Sequence, residues 1–232
     1  IKIVTAIATK GEGLTRQELL EKTSLSDNGK FSQMLEELES CGFIRSYVPF
    51  VSETARKRRT GVAGNKNSDT LYQLIDPFTL FHFQVMRRAD SNDANYWSNN
   101  QNPHVFSTWS GLAFEMLCLN HVEQIKVALG ISGITTNVFS WFGKGDNRSA
   151  QIDMLIDRAD NAINLCEMKF YSKAYPMSVK DEEDIERKVS TFLEATKTDK
   201  TIIVTMITDK GLERNEHSEC IQKVVTLDQL FC

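Results

Sequence analysis

Three charged residues interrupt two runs that otherwise read as buried strands. Ala150-Gln151-Ile152-Asp153-Met154-Leu155-Ile156-Asp157 carries Asp153 inside it. Ile163-Asn164-Leu165-Cys166-Glu167-Met168-Lys169-Phe170 carries Glu167 and Lys169, which are two apart and so share one face of a strand. Both runs are rich in Ile and Leu and of strand length, and Arg158-Ala159-Asp160-Asn161-Ala162 between them supplies turn residues, so the pair reads as a β-hairpin. Directly opposed residues of an antiparallel pair share a face, and an odd-numbered loop, Ala159 to Asn161, sets Asp153 opposite Glu167. Two facing carboxylates repel unless a cation lies between them, so the arrangement asks for a metal.

These groups need elements to position them. A long helix over His104–Leu129 is predicted upstream, with Trp109, Leu112, Ala113, Met116 and Leu119 as its buried stripe. Glu115 lies on that stripe, and an inward-facing carboxylate is costly unless paired or metal-linked. His121, further along, reads as a structural or surface histidine. Ile134–Trp141 is a strand before the hairpin, and Gly143-Lys144-Gly145-Asp146-Asn147 the turn into it. A polar loop follows Phe170, then a charged helix over Asp181–Thr196, a β-branched central strand over Lys200–Thr208, a polar connection and a last strand at Val224–Thr226. Lys173, Arg187 and Lys188 are candidates to grip a phosphate, although exposed pairing with Glu183 and Glu186 is the expectation for the helix positions. From His104 the order is α-β-β-β-α-β.

The first ninety residues are organised differently. A helix over Lys2–Thr9 is followed by a second one opened by a capping box, Thr15 with Glu18 three residues on. A third carries Phe31, Met34, Leu35, Leu38 and Cys41 at helical spacing and ends at Gly42. Strands are predicted at Phe43–Phe50 and Thr70–Ile75. Three helices, a strand, a loop and a strand is the order of a winged helix-turn-helix, a DNA-binding fold. Its wing, Val51–Asp69, contains Arg56, Lys57, Arg58 and Arg59, four consecutive cations suited to phosphate contacts, and Lys30 on the third helix adds to them. Glu36, Glu37 and Glu39 make the far end of that helix acidic, so docking onto a protein partner competes with DNA contact as a reading. Phe78–Arg88 is an aromatic-rich helix expected to pack between two domains, and the polar segment that runs up to Pro103 is a linker.

Asp153, then Glu167-x-Lys169, an upstream helical Glu115 and the order α-β-β-β-α-β together resemble the PD-(D/E)XK nuclease superfamily. Gly111-Leu112-Ala113-Phe114-Glu115, Gln151-Ile152-Asp153 and Cys166-Glu167-Met168-Lys169-Phe170 further resemble the C-terminal half of archaeal-type AAA ATPases, ATP-binding proteins in which a P-loop domain precedes a winged helix and a nuclease-like domain. The resemblance covers essentially the whole chain. It implies an α/β (α+β) chain divided into a winged helix-turn-helix domain (1–90), a linker (91–103) and a restriction-endonuclease-like domain (104–232) with a mixed central sheet. It also implies that an ATPase part, where ATP would bind, is missing; no G-x-x-x-x-G-K-[ST] loop occurs in the chain. By the same resemblance Asp153, Glu167 and the Met168 carbonyl hold Mg2+ or Mn2+, Glu115 completes the shell, and Lys169 orients or deprotonates the attacking water. The expected function is hydrolysis of DNA phosphodiesters. The alternative is a non-catalytic DNA-binding or protein-interaction region that regulates the ATPase, with Asp153 and Glu167 satisfied by Lys169 and Lys173.

Composition bounds these readings loosely. The chain has 232 residues and a net charge of −4. Residues 1–90 hold 13 Lys+Arg against 11 Asp+Glu, net +2, and residues 91–232 hold 14 against 20, net −6, so a phosphate-bearing partner meets the first part more favourably. Five scattered cysteines without a C-x-x-C pair suit reduced thiols in a cytoplasmic protein, and no apolar run reaches membrane-spanning length. Ile1 in place of Met leads to the expectation of a processed or cropped piece.

Replacing Arg56, Lys57, Arg58 and Arg59 together by Ala is expected to flatten the slope of log affinity for duplex DNA against log salt, measured by fluorescence anisotropy. An unchanged slope and affinity would assign the wing to protein docking.

Overall fold

The computed structural model describes residues 1–11, 13–48, 70–88, 95, 103–144 and 149–231. The wing with Arg56, Lys57, Arg58 and Arg59, almost all of the expected linker, and Gly145-Asp146-Asn147 lie outside the described residues. The described chain forms two compact units, one of residues 1–47 and 70–120, the other running from His121 onward.

The first unit contains α1 (Lys2–Ile7), β1 (Leu14–Thr15), α2 (Arg16–Thr23), α3 (Gly29–Ser40), β2 (Ile44–Tyr47), β3 (Leu71–Leu74), α4 (Pro77–Gln84) and α5 (Pro103–Asn120). Thr15 caps α2 in the expected box: its hydroxyl accepts from the Glu18 amide while the Glu18 carboxylate accepts from the Thr15 amide. The three strands pair antiparallel in the order β1-β3-β2, and the two-residue β1 has no counterpart in the sequence reading. Gly13 makes β1 possible. Its φ is +90°, and a Cβ there would fall 2.5 Å from the Tyr72 carbonyl oxygen, so only glycine lets the strands close. The core gathers Ile7, Leu14, Leu19, Phe31, Leu35 and Leu80, with Trp109, Leu112 and Met116 of α5 against it. The aromatic helix α4 therefore packs within this unit, where Phe81 meets Trp109 edge-on.

The helix expected over His104–Leu129 is broken. α5 ends at Asn120, and α6 (Val122–Ala128) starts after His121, whose φ of −116° and ψ of 32° leave the helical region. Asn and His both have modest helix propensity. Each also has another engagement: the Asn120 amide donates to the Ile75 carbonyl, and the His121 ring packs edge-on against Phe231.

The second unit is a mixed α/β arrangement built on a five-stranded mixed sheet, ordered β10-β8-β6-β5-β4. Its strands are β4 (Thr136–Lys144), β5 (Ser149–Arg158), β6 (Ala162–Lys169), β8 (Thr201–Thr208) and β10 (Lys223–Thr226). β4, β5 and β6 are antiparallel neighbours, whereas β6, β8 and β10 run parallel. The return from β6 to β8 requires a crossover, and α7 (Val179–Thr196) supplies it. Ser178 and Asp181 form a capping box at its start. Phe192 of α7, 0% exposed, meets the Trp141 ring edge-on and joins Ile152, Leu155, Ile163 and Leu165 in one cluster. A two-stranded parallel pair, β7 (Tyr175–Pro176) with β9 (Leu212–Glu213), ties together the loops that leave β6 and β8.

Among the described residues no helix is long and apolar enough to cross a membrane, and Cys41, Cys118, Cys166 and Cys220 are free thiols.

Because Phe192 anchors α7 to the sheet, Phe192→Ala is expected to cost about 3–5 kcal/mol, read as a lower urea midpoint for the second unit by circular dichroism.

Candidate functional site

The hairpin forms with the register expected from its turn. Met154 pairs Cys166, Leu155 pairs Leu165, Ile156 pairs Asn164 and Asp157 pairs Ile163 around the loop 159–161, where Asn161 takes the left-handed conformation at φ 65°. This ladder stops one residue short of Asp153 and Glu167. Its other neighbour explains the stop: β4 pairs Phe139 with Leu155 and then Trp141 with Ile152, so Asp153 and Met154 together face the single residue Ser140. That is a β-bulge, which bends a strand and ends regular pairing. The Ser140 hydroxyl donates to the Asp153 carbonyl at 2.7 Å and pins it, and the Gln151 amide donates to Asp153 Oδ1 at 2.7 Å.

Beyond the bulge the two strands follow different partners. β5 stays with β4 to Ser149, and β6 stays with β8 to Lys169 opposite Thr208. The sheet thus parts at the level of Asp153 and Glu167, and Met168 and Lys169 lie past the fork.

Glu167 is 8% exposed and continues the face of Ile163 and Leu165 toward α7. Its Oε1 lies 3.0 Å from Lys169 Nζ, and its Oε2 accepts from Lys188 Nζ at 2.7 Å. Lys188 also reaches Asp184 Oδ2 at 3.0 Å, one helical turn earlier, and Arg187 bridges Asp184 to the Ser149 carbonyl. Burial works against the Lys169 ammonium, but the charge and bond of Glu167, then Asp181 and Asp184, outweigh it and hold its pKa above the ordinary lysine value. Lys188 is raised in the same way, against burial, by Glu167 and then Asp184. At the rim the Tyr175 hydroxyl donates to Asp181 Oδ1 at 2.9 Å, and burial followed by that bond pushes the phenol pKa up.

The expectation for α7 is corrected here. Arg187 and Lys188 pair with Asp184 rather than Glu183 or Glu186, and the Lys188 side chain, 13% exposed, belongs to the site rather than to a solvated face. The signal was present in the sequence. Ile185, Lys188 and Phe192 are spaced three and four apart, which places Lys188 on the buried stripe. Lys173 is exposed, and Lys30 is exposed on α3 of the first unit. Glu115 also belongs to the first unit, on α5, half-buried. Burial, and next the charge of Glu115, push the Cys118 thiol up to about 12.

Carboxylate oxygens and a backbone carbonyl suit Mg2+ or Mn2+ in kind. Both Glu167 oxygens nevertheless already face an ammonium group. Among the described residues, no three His, Cys, Asp or Glu side chains converge so as to hold a metal ion.

No known family and no curated protein matches this chain. A crystal structure of a protein of unknown function, AF1548, is similar to it at 16% identity, with a match over 48% of this chain and 62% of that one and a TM-score of 0.33. A likeness at that level leaves fold and function to be argued from this chain's own geometry.

Asp184 tests the charge network. Burial raises its carboxyl pKa, but bonds from Arg187 and Lys188 more than offset this and hold it below the ordinary 3.8. A depressed carboxyl stabilises the fold above its unfolded value and loses that contribution as pH falls through the folded one. The melting-temperature deficit of Asp184→Asn, measured in chelator, is therefore expected in full at pH 6, to shrink once pH falls below about 4, and to vanish only below the depressed folded value.

Proposed function

We propose that the second unit is a metal-dependent nuclease module of PD-(D/E)XK type, acting on DNA, joined to a winged-helix first unit and working as the C-terminal part of an AAA-type ATPase. The observation that carries the reading is the fork in the sheet. β5 and β6 separate at the level of Asp153 and Glu167, with Lys169 directly beyond, so the two acids lie one on each arm of the fork. In the first unit, helices α1 to α3 and the antiparallel β2–β3 pair around the wing segment support the winged-helix part.

In this reading Asp153, Glu167 and the Met168 carbonyl would hold Mg2+ or Mn2+. The cation, when bound, supplies charge neutralisation at the phosphate and a more acidic water. Lys169 bonds Glu167 directly, and would orient or deprotonate the attacking water and stabilise negative charge growing on the phosphate oxygens. The Gln151 amide holds the Asp153 carboxylate and the Ser140 hydroxyl holds its backbone carbonyl.

A second reading has its own support. Glu167 is fully compensated by Lys169 and Lys188, so the site is electrostatically self-sufficient, as a DNA-binding or protein-interaction region that regulates the ATPase would require.

Cleavage assays separate the two. Asp153→Ala and Lys169→Ala are each expected to abolish Mg2+-dependent DNA hydrolysis, a loss of about 100-fold or more, while leaving DNA affinity within about threefold. Cleavage that survives either change would count against that assignment, and a wild-type chain that binds DNA without Mg2+-dependent cleavage would support the regulatory reading.

A further inference from the structure

Each oxygen of Glu167 faces a different lysine, and the two lysines are not equivalent. Lys169 sits two residues along the same strand with its side chain 31% exposed, and it bonds Oε1. Lys188 approaches Oε2 from α7, is 13% exposed, and has a second carboxylate within reach at Asp184 Oδ2. Arg187 holds Asp184 in place. An ammonium group between two acids transfers from one to the other by a small side-chain rotation and is never left uncompensated, whereas stranding a buried charge is costly.

A divalent ion and an ammonium on the same carboxylate oxygen repel each other at contact distance. Binding of the ion at Oε2 therefore favours departure of the ammonium that has another acid within reach, which is Lys188. We propose that Lys188 is a tethered counter-ion, which holds Glu167 in the cation-free protein and yields Oε2 to a divalent cation by moving wholly onto Asp184. The proposal rests on the metal-dependent reading of the site and adds its regulation.

Two properties follow. The fold does not depend on metal, because Glu167 is compensated with or without it. The site also selects by charge: a monovalent ion brings no more charge than the lysine that it must displace, while a divalent ion brings twice as much and wins once its concentration exceeds a threshold set by Lys188.

The test is Mn2+ titration of the full chain, with free ion followed by electron paramagnetic resonance, for wild type, Lys188→Met, Asp184→Asn, the double variant and Glu167→Gln. Lys188→Met is expected to bind Mn2+ roughly tenfold or more tightly than wild type. Asp184→Asn is expected to bind roughly threefold or more weakly, because the displaced lysine loses its second seat. In the Lys188→Met background the Asp184 change should have little further effect, since there is no lysine to receive. Glu167→Gln should bind no Mn2+.

Unchanged or weaker binding by Lys188→Met, with wild-type binding still lost in Glu167→Gln, would overturn the tethered counter-ion and leave the metal reading standing. So would an Asp184→Asn effect that persists in full in the double variant. If Lys188→Met fails to fold, unchanged binding by Asp184→Asn alone overturns the proposal. Absence of Glu167-dependent Mn2+ binding in every variant would overturn both the metal-dependent reading and the tethered counter-ion.

Discussion

Burying the Glu167 carboxylate is the constraint from which the second unit's polar design follows. At 8% exposure the charge cannot rely on water, and removing one partner of a buried ion pair typically costs about 3–5 kcal/mol. The chain meets this with two cations from separate elements, Lys169 from the same strand and Lys188 from the crossover helix. Lys188 reaches the carboxylate only because α7 is fixed on the sheet, and Phe192 and Ile185 in the apolar clusters fix it. The apolar packing of α7 and the charge balance at the end of β6 are therefore one arrangement. Two partners also mean that Glu167 tolerates the temporary loss of either.

The rim of the site follows the same logic. Asp181 accepts from Tyr175 and from the cap residue Ser178, so the start of α7 and the loop leaving β6 are joined at one carboxylate. The β7–β9 pair joins that loop to the one leaving β8. Parallel strands β6, β8 and β10 direct their carboxyl ends to this side, where open α/β sheets place their ligand-binding crevices.

Much of this was legible in the sequence where local rules act alone. The loop 159–161 has the odd length that sets the hairpin register, and Asn161 tolerates the left-handed backbone that the turn needs. Thr15 and Glu18 announce their helix because capping is a matter of residue type and spacing. The helix break at His121 was not legible, since neither glycine nor proline marks it and the competing interactions of Asn120 and His121 come from distant residues. Lys188 has acids within one turn on its own helix, and only the helix face it occupies assigns it to the buried carboxylate. Nor could the gathering of α5 with the first unit be read from the sequence, because an apolar stripe does not name the surface that covers it.

The bulge at Asp153–Met154 has a consequence beyond ending a ladder. Ala150 and Ile152 on one side of it and Leu155 on the other all face the same cluster, so inward and outward positions exchange parity across it. The extra residue works as a frameshift in the alternation of the strand. Remove it, and Ala150 and Ile152 would turn out of the core while Gln151 turned in. The residue that carries the candidate chemistry is thus also the one that keeps the two halves of β5 in phase, and length at this point is as constrained as residue identity.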